Sequence, residues 1–413
     1  MKNKILLAIA DGLGDRPCEI LDWKTPLQFA NTSFLDQLAS NGSCGIMDLY
    51  HAGIPVGTDL GHLILFGYGI EDYPGRGPIE AFGDGLELIS GDIAFRCNFA
   101  TVDENGLILD RRAGRIRQGT SKLASALNGM TIDGIEILFK EATEHRAVLV
   151  LRGPGLSAKV SDTDPKKEGQ EIKKAIPKDN SKEAAFTADI LNQFLKKAHE
   201  CLKDLPINKE REQQGLSPAN AIITRGAGAM TKVNKITEQL GFSACCIASE
   251  RTVLGVARMA GFDVLTDSSF TGNLDTDIYK KAKFAIDALK NYDLVVLHYK
   301  ATDLMGHDND PLGKVQAINR YNEMIGEVIK GIDCEIQTPV IIALASDHST
   351  PCERKEHSGD PVPIVISGRN IRKDKVTTYN EIDCSEGCLG RIKGNDFNCT
   401  LLDYLEVTQK QGN

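Results

Sequence analysis

In the stretch ILLAIADG (residues 5–12), an apolar run of six residues ends abruptly at Asp11 and Gly12, and this pattern is the first indication of the fold. Six apolar residues are too few for a bilayer span or for the apolar region of a signal peptide, and no small-residue cleavage site follows them. Such a run is typical of a strand that is buried on both faces. The same pattern recurs in AIIT (221–224), LVVLHY (294–299) and VIIALAS (340–346).

Helical periodicity separates several of these predicted strands. Residues 276–290 and 312–330 both carry apolar residues at helical spacing. Alternation of buried strands with helices predicts an α/β fold, with a mostly parallel sheet flanked by helices.

The middle of the chain has a different pattern. Residues 91–160 contain closely spaced runs that are typical of short strands and turns, and a charged segment and a predicted helix at about 183–204 follow. We therefore predict a discontinuous core domain and an inserted α+β domain. The core comprises residues 1–90 and 216–413, and the inserted domain comprises residues 91–215.

Composition narrows the classes of function. The chain has 413 residues, 41% of them hydrophobic and 25% charged, with a net charge of −9, which fits a globular protein with a sizeable core. No Lys/Arg run predicts nucleic-acid binding, and no apolar segment predicts a membrane span. The eleven cysteines are scattered, as expected in a reducing compartment, so we expect a cytoplasmic protein. No glycine motif for a dinucleotide or a P-loop nucleotide is complete.

Carboxylate and imidazole side chains follow three of the predicted strands. In open α/β sheets, ligands bind outside the carboxyl ends of the parallel strands. A single Asp at a strand end is usually a turn residue, but agreement between three strand ends favours a metal site. Asp and His together suit Mn²⁺ or Zn²⁺, and the set is large enough for two ions that clamp a phosphoryl group. The candidate ligands are Asp11, Asp303, His307, Asp347, His348 and His357.

Thr58 lies in VGTDLGHLILFGY (56–68), just before a helical pattern. Taken alone, this stretch predicts a helix N-cap. Beside a metal site, the same hydroxyl becomes a candidate nucleophile, because a helix N-terminus favours a phosphate group. His62 lies one helical turn further on, where it either contacts a bound substrate or is an ordinary residue of the helix surface.

Arginines are frequent in and near the predicted inserted domain. Their guanidinium groups match carboxylate and phosphate oxygens, although most of them are expected to be solvated. The compact RRAGR sequence favours Arg111 and Arg112 as substrate ligands, and Arg225 ends a predicted strand. Asn98 lies in a largely apolar run, where it either orients a substrate hydroxyl or pairs with the backbone.

Several motifs occur in order across nearly the whole chain. They include DGLGD (11–15), GTDLGH (57–62), GRGPIEAFGDG (75–85), DRRAGR (110–115) and EHRAVLVLRG (144–153). Together with TRGAG, D-x-x-x-H and D-H-x8-H, they resemble the archaeal-type cofactor-independent phosphoglycerate mutases of the alkaline phosphatase superfamily.

The resemblance implies a two-metal core with an inserted cap domain that binds the substrate. It implies an isomerase of glycolysis and gluconeogenesis, which interconverts 3-phosphoglycerate and 2-phosphoglycerate without 2,3-bisphosphoglycerate and here forms a phosphothreonine. The two ions would be Mn²⁺ or Zn²⁺, with Mg²⁺ or Co²⁺ as alternatives. Carried over by motif, one ion is held by Asp11, Thr58, Asp347 and His348, and the other by Asp303, His307 and His357.

Two positions depart from the family pattern. Thr58 replaces the usual serine, and Leu254 stands where the family has a lysine, with Arg251 just upstream. A metal-dependent phosphatase or phosphotransferase acting on another phosphorylated metabolite is therefore the second hypothesis. A metal-stabilised structural protein is the third, and the complete ligand set argues against it.

Overall fold

The computed structural model describes residues 3–230 and 234–412. No helix among these residues is long and apolar enough to cross a membrane. The strands are β1 (Lys4–Ala10), β2 (Gly42–Asp48), β3 (Ile93–Val102), β4 (Ile108–Asp110), β5 (Thr131–Ile132), β6 (Ile135–Glu141), β7 (Arg146–Arg152), β8 (Ala221–Ala229), β9 (Ala244–Ile247), β10 (Asp263–Leu265), β11 (Leu294–Tyr299), β12 (Val340–Ala345), β13 (Val362–Ser367) and β14 (Gly390–Lys393).

The α-helices confirm the three helical segments expected from periodicity, now α6, α10 and α12. They are α1 (Pro26–Phe29), α2 (Ser33–Ser40), α3 (Thr58–Leu65), α4 (Arg76–Gly83), α5 (Thr120–Leu127), α6 (Lys182–Leu202), α7 (Pro206–Gln213), α8 (Ile236–Leu240), α9 (Arg251–Met259), α10 (Ile278–Leu289), α11 (Ala301–His307), α12 (Pro311–Glu335) and α13 (Gly394–Tyr404).

The described residues form two compact units, one of residues 3–73 with 234–412 and one of residues 74–230. The predicted limits of the inserted domain, 91 and 215, therefore lie inside the second unit. The difference arises because α4 and β8, which flank the predicted domain, both pack on β3 within this unit.

The first unit is built on a mostly parallel sheet, which confirms the predicted α/β class. Its strand order is β10-β9-β11-β1-β12-β13-β2-β14, and only the pairs on either side of β13 are antiparallel. β1, β11 and β12 are almost completely buried, as their continuous apolar runs predict.

The second unit contains an antiparallel sheet in the order β4-β3-β7-β6-β5, with β8 paired to β3. The prediction that AIIT (221–224) is a strand of the parallel core is therefore wrong, since it begins β8. An apolar run of four residues specifies a strand covered on both faces but not the sheet to which it belongs. Buried residues of β3, β7 and β8 pack with α5 and α6 in a separate apolar core.

Candidate active site

The predicted ligands follow neighbouring strands of the first unit. β1 lies between β11 and β12, with Ala10 opposite Tyr299 and Ile9 opposite Ala345. The parallel strands therefore end at one edge of the sheet. Asp11, Asp303 and Asp347 follow these strand ends and are almost fully buried.

Asp11, Asp347 and His348 form one potential cation site, because their ligand atoms lie within 4.8 Å of one another. His348 Nε2 is 3.4 Å from Asp11 Oδ1 and 3.2 Å from Asp347 Oδ2. Thr58 Oγ1 lies 3.3 Å from the same His348 nitrogen. The structure thus brings together the four side chains that the resemblance assigns to one ion.

Asp303, His307 and His357 form a second group. Asp303 Oδ1 is 3.4 Å from His307 Nε2 and 3.6 Å from His357 Nε2, and the two imidazole nitrogens are 3.3 Å apart. His348 stacks on His357 with ring centroids 3.5 Å apart. His348 also lies within ligand distance of Asp303 and His357, so the two groups adjoin each other at this residue.

The three histidines present the same nitrogen to the carboxylates. The Nδ1 atoms of His307 and His357 donate to the carbonyls of Lys355 and Val56, both at 2.8 Å. His348 Nδ1 lies 3.0 Å from Thr350 Oγ1, which itself donates to Asp303. With Nδ1 carrying the proton, Nε2 keeps a lone pair for a metal ion, as in many metal sites.

Two buried carboxylate oxygens show that the cluster fits cations. Asp11 Oδ1 and Asp347 Oδ2 accept no hydrogen bond from the described residues. Burial disfavours the charge on Asp347, but His348 and His62 outweigh this effect and hold its pKa well below the ordinary value. Buried ionised oxygens without donors are costly unless a cation pairs with them. The oxygen and imidazole donors suit divalent ions.

Thr58 does not cap its helix. Gly57 is the N-cap of α3, and Thr58 is the first helical residue, with its hydroxyl near His348. The N-cap prediction is therefore wrong by one position. The hydroxyl nevertheless lies at the positive end of the helix, where an attached phosphoryl group is favoured.

His62 is not a residue of the helix surface, so that alternative is wrong, while its contact with a bound substrate stays a prediction. Its side chain is fully buried, Nδ1 bonds to the Thr58 carbonyl at 2.8 Å, and the same nitrogen lies 3.2 Å from Asp347 Oδ2. The neighbouring Leu63 and Ile64 are also buried, and α3 packs against α9 and α13. His62 therefore contacts both the Thr58 backbone and the Asp347 carboxylate and holds them in position.

Sequence reasoning missed two cationic or polar neighbours of the carboxylates. His298 donates from Nε2 to Asp11 Oδ2 at 3.0 Å, and the Lys300 ammonium lies 3.1 Å from the same oxygen and 2.6 Å from Asp303 Oδ2. A histidine inside the apolar run LVVLHY was the available signal for His298. Burial disfavours charged Lys300, but the carboxylates outweigh it and raise its pKa, so the ammonium stays protonated.

The second unit contains a cavity of about 310 Å³ rich in arginine. The pairing of the strands brings four of its lining residues together. Arg96 and Asn98 share one face of β3. Arg146 on β7 lies opposite Asn98, and Arg225 on β8 lies opposite Arg96. The lining residues are Arg96, Asn98, Arg111, Arg112, Arg115, Glu144, His145, Arg146 and Arg225.

Four predicted substrate ligands line this cavity, and their binding role stays a prediction: Asn98, Arg111, Arg112 and Arg225. Asn98 Nδ2 donates to the Arg111 carbonyl at 3.2 Å, which is the backbone pairing that the sequence left open. Arg111 forms a bidentate pair with Asp164 at 2.9 and 2.6 Å, and Arg225 lies 3.3 Å from the same carboxylate. Arg112 is exposed and forms no ion pair with the described residues.

A turn over residues 110–114 precedes Arg115, which lines the cavity. Asp110 accepts hydrogen bonds from the backbone N–H groups of Arg112 and Gly114, both at 2.7 Å. Gly114 has a φ of +65°, which favours glycine. The turn allows Arg115 to line the cavity. Glu144 and His145 also line the cavity, and no role was predicted for either from the sequence.

Proteins of a known family are similar in sequence to the chain along its full length. A model of the 2,3-bisphosphoglycerate-independent phosphoglycerate mutases matches residues 39–208. A mutase of this name from Methanopyrus kandleri is 46% identical over 100% of this chain and 99% of its own length. A mutase of the same family from Methanocaldococcus jannaschii is 45% identical over 100% of this chain and 99% of its own length.

Solved structures agree with these relatives. A Pyrococcus horikoshii protein has a TM-score of 0.84 and 37% identity, with both chains covered completely. The cofactor-independent phosphoglycerate mutase of Thermoplasma acidophilum has a TM-score of 0.74 and 33% identity over 98% of this chain and 100% of its own. The chain therefore belongs to the family of 2,3-bisphosphoglycerate-independent phosphoglycerate mutases.

Proposed function

We propose that this protein is a metal-dependent isomerase that interconverts 3-phosphoglycerate and 2-phosphoglycerate through a phosphothreonine at Thr58. The observation that carries the proposal is the position of the Thr58 hydroxyl, 3.3 Å from His348 Nε2 and at the start of α3. Family membership supports the same activity.

The two ligand groups would hold two divalent ions, with Mn²⁺ or Zn²⁺ proposed from the donor types. Asp11, Thr58, Asp347 and His348 would hold one ion. Asp303, His307 and His357 would hold the other. Bound ions would neutralise these carboxylates, favour the ionised Thr58 hydroxyl and offset charge on a phosphoryl group.

Thr58 Oγ1 would displace the substrate oxygen from phosphorus, so that one P–O bond forms as another breaks. The phosphoryl group would then return to the other hydroxyl of the bound glycerate. Backbone N–H groups of the first turn of α3 favour the negative charge on phosphothreonine. The threonine methyl group restricts the hydroxyl to fewer rotamers than a serine would have.

The arginine cavity is the proposed site for the anionic substrate. Arg112, Arg115 and Arg146 line it without an ion pair to any described residue, so their charges are open to a carboxylate or phosphate. Arg111 and Arg225 already share Asp164. We therefore assign Arg111 and Arg225 to shaping the cavity, and Arg112, Arg115 and Arg146 to binding.

The decisive assay incubates the Mn²⁺-loaded protein with 3-phosphoglycerate and no 2,3-bisphosphoglycerate, and follows both isomers by ³¹P NMR. We expect an equilibrium mixture of the isomers with little inorganic phosphate. Absence of isomer at every metal load would refute the mutase. Release of inorganic phosphate alone would instead support the phosphatase alternative, which the buried Leu254 in place of a lysine motivates.

A further inference from the structure

The second unit contains another cavity, which shares no lining residue with the arginine cavity. Its volume is about 420 Å³, which is in the size range of small-molecule sites. Its apolar lining residues are Val102, Ile172, Leu195 and Ala221. Val102 and Ala221 belong to a small buried apolar cluster on which Ile172 packs. The cavity therefore offers an apolar surface to a ligand.

Lysines give the same cavity an excess of positive charge. Lys173, Lys174 and Lys196 line it, and none of them forms an ion pair with a described residue. Glu171 is the only carboxylate among its described lining residues. In a chain with a net charge of −9, a local excess of ammonium groups attracts an anion to this part of the surface.

A further cavity adjoins this one. It has a volume of about 640 Å³ and is also lined by Lys173 and Lys174, so the two cavities meet at these two residues. Lys166 and Lys178 line the adjoining cavity as well, and neither forms an ion pair with a described residue. Four lysines therefore surround it.

The carboxylates of the adjoining cavity have other partners. Asp164 is paired with Arg111 and Arg225. Asp162 Oδ1 accepts a hydrogen bond from the Gly226 N–H at 3.0 Å. Because neither aspartate is paired with a lysine, the four ammonium groups are available to an anionic ligand.

The backbone that carries the two shared lysines is held in place. Lys173 N donates to the Thr163 carbonyl at 2.9 Å. Asn192 of α6 accepts from the N–H of Ala175 and donates to its carbonyl, both at 2.9 Å. The segment with Lys173 and Lys174 is thus fixed to the helix that lines the first of these cavities. A ligand that binds there does not have to order this backbone, which lowers the entropic cost of binding.

We propose that the two adjoining cavities bind a small organic polyanion that joins a flat ring system to a chain of phosphates, the chemistry of a nucleoside diphosphate. The apolar surface around Ile172 and Leu195 takes the ring. The lysines at the junction and in the adjoining cavity bind the phosphate oxygens, since lysine binds phosphate as a point charge. This site goes beyond the proposed function, because it uses neither the arginine cavity nor Thr58.

The test measures binding to the full chain by calorimetry, in buffer without free divalent ions. The probes are ADP, adenosine and pyrophosphate. We expect one ADP per chain, bound about tenfold more tightly than either of the other two probes, because adenosine lacks the charges that pair with the lysines and pyrophosphate lacks the ring that covers the apolar surface.

Exposed residues of the site allow variants that spare the fold. Joint replacement by Lys173→Ala and Lys174→Ala should weaken both ADP and pyrophosphate about tenfold. Ile172→Ser should weaken ADP and leave pyrophosphate unchanged. Lys196→Ala should weaken ADP, and Lys197→Ala is its matched control, because Lys197 is the next residue of α6, is also exposed and lines neither cavity. Melting temperatures identify any variant that fails to fold.

The inference is overturned if ADP does not bind, if pyrophosphate binds as tightly as ADP, or if Lys197→Ala weakens ADP as much as Lys196→Ala does. Arg115→Ala separates this site from the arginine cavity. Unchanged ADP affinity in Arg115→Ala supports the inference, and loss of ADP binding in it would place ADP in the arginine cavity and overturn the inference. None of these outcomes depends on isomerase activity, so this inference and the proposed function can fail separately.

Discussion

Replacement of Lys314 by methionine should destabilise the protein and weaken its metal binding. Lys314 lies on α12 with its side chain fully buried. Its ammonium donates to Asp15 Oδ2 at 2.8 Å, to the Thr350 carbonyl at 3.0 Å and to the Gly14 carbonyl at 3.2 Å. These acceptors lie in the loops after β1 and β12, which carry Asp11 and the pair Asp347–His348.

The expected loss of stability follows from what remains after the substitution. Methionine is unbranched and fills similar space, but the 7%-exposed Asp15 loses its cationic partner. Removing one partner of a buried ion pair lowers the free energy of unfolding by about 3–5 kcal/mol. Asp15 keeps hydrogen bonds from the N–H groups of Arg16 and Cys352, so we expect a loss near the lower limit, about 3 kcal/mol.

Lys281→Met is the matched control. Lys281 is also fully buried in the first unit, but its ammonium donates only to the His298 carbonyl, at 2.7 Å, and has no carboxylate partner among the described residues. Loss of one hydrogen bond costs about 1 kcal/mol. Burying a charged lysine is itself unfavourable, which reduces the net cost of the control further.

Urea denaturation measures the free energy of unfolding of both variants, and metal titration measures their affinity. Lys314→Met should lose about 2 kcal/mol more than Lys281→Met and should bind metal about tenfold more weakly, as supporting residues of metal sites do. Asp15→Asn combined with Lys314→Met should recover part of the stability, because no unpaired carboxylate remains. Equal losses of unfolding free energy in Lys314→Met and Lys281→Met would refute this prediction. So would a loss in the double variant equal to the sum of the losses in Asp15→Asn and Lys314→Met.

Three further outcomes are expected. Thr58→Ala should keep the fold and lose isomerisation, whereas Thr58→Ser should retain it; kinetics with 3-phosphoglycerate checks both, and a wild-type rate in Thr58→Ala would exclude this nucleophile. Asp303→Asn should lower the metal content measured by elemental analysis, and unchanged occupancy would remove Asp303 from the ligand set. Burial lowers the pKa of Lys281 from 10.5 to about 8, so between these pH values the unfolded chain binds the proton that the folded protein has lost, and stability should rise with pH. The free energy of unfolding of the wild type minus that of Lys281→Met, both from urea denaturation, isolates the contribution of Lys281. A difference that stays constant from pH 8 to 10.5 would contradict this prediction.

The clustering of the candidate metal ligands could be predicted because the signals for it are local. Each ligand loop follows an apolar run, and strands β1, β11 and β12 end at one edge of the parallel sheet whatever the details of packing. The helix that begins at Thr58 was also evident, although Gly57 rather than Thr58 is its N-cap.

The remaining features depend on contacts between residues distant in the chain. Lys314 bonds to Asp15 across 299 positions, and nothing near Lys314 distinguishes it from a surface lysine. β8 joins the antiparallel sheet because it pairs with β3, and the sequence of AIIT does not encode its partner. His62 is buried because its helix face meets Asp347, which the helical spacing alone could not show.

Trapping of the covalent intermediate tests whether Thr58 is the nucleophile. The metal-loaded protein is mixed with 3-phosphoglycerate, quenched in acid within its turnover time and digested, and the peptide that contains residues 56–68 is sequenced by mass spectrometry. The structure predicts a phosphoryl group on Thr58 in the wild type and none on this peptide in Thr58→Ala. Isomerisation that proceeds with no phosphorylated Thr58, or with the phosphoryl group on another residue, would contradict the account.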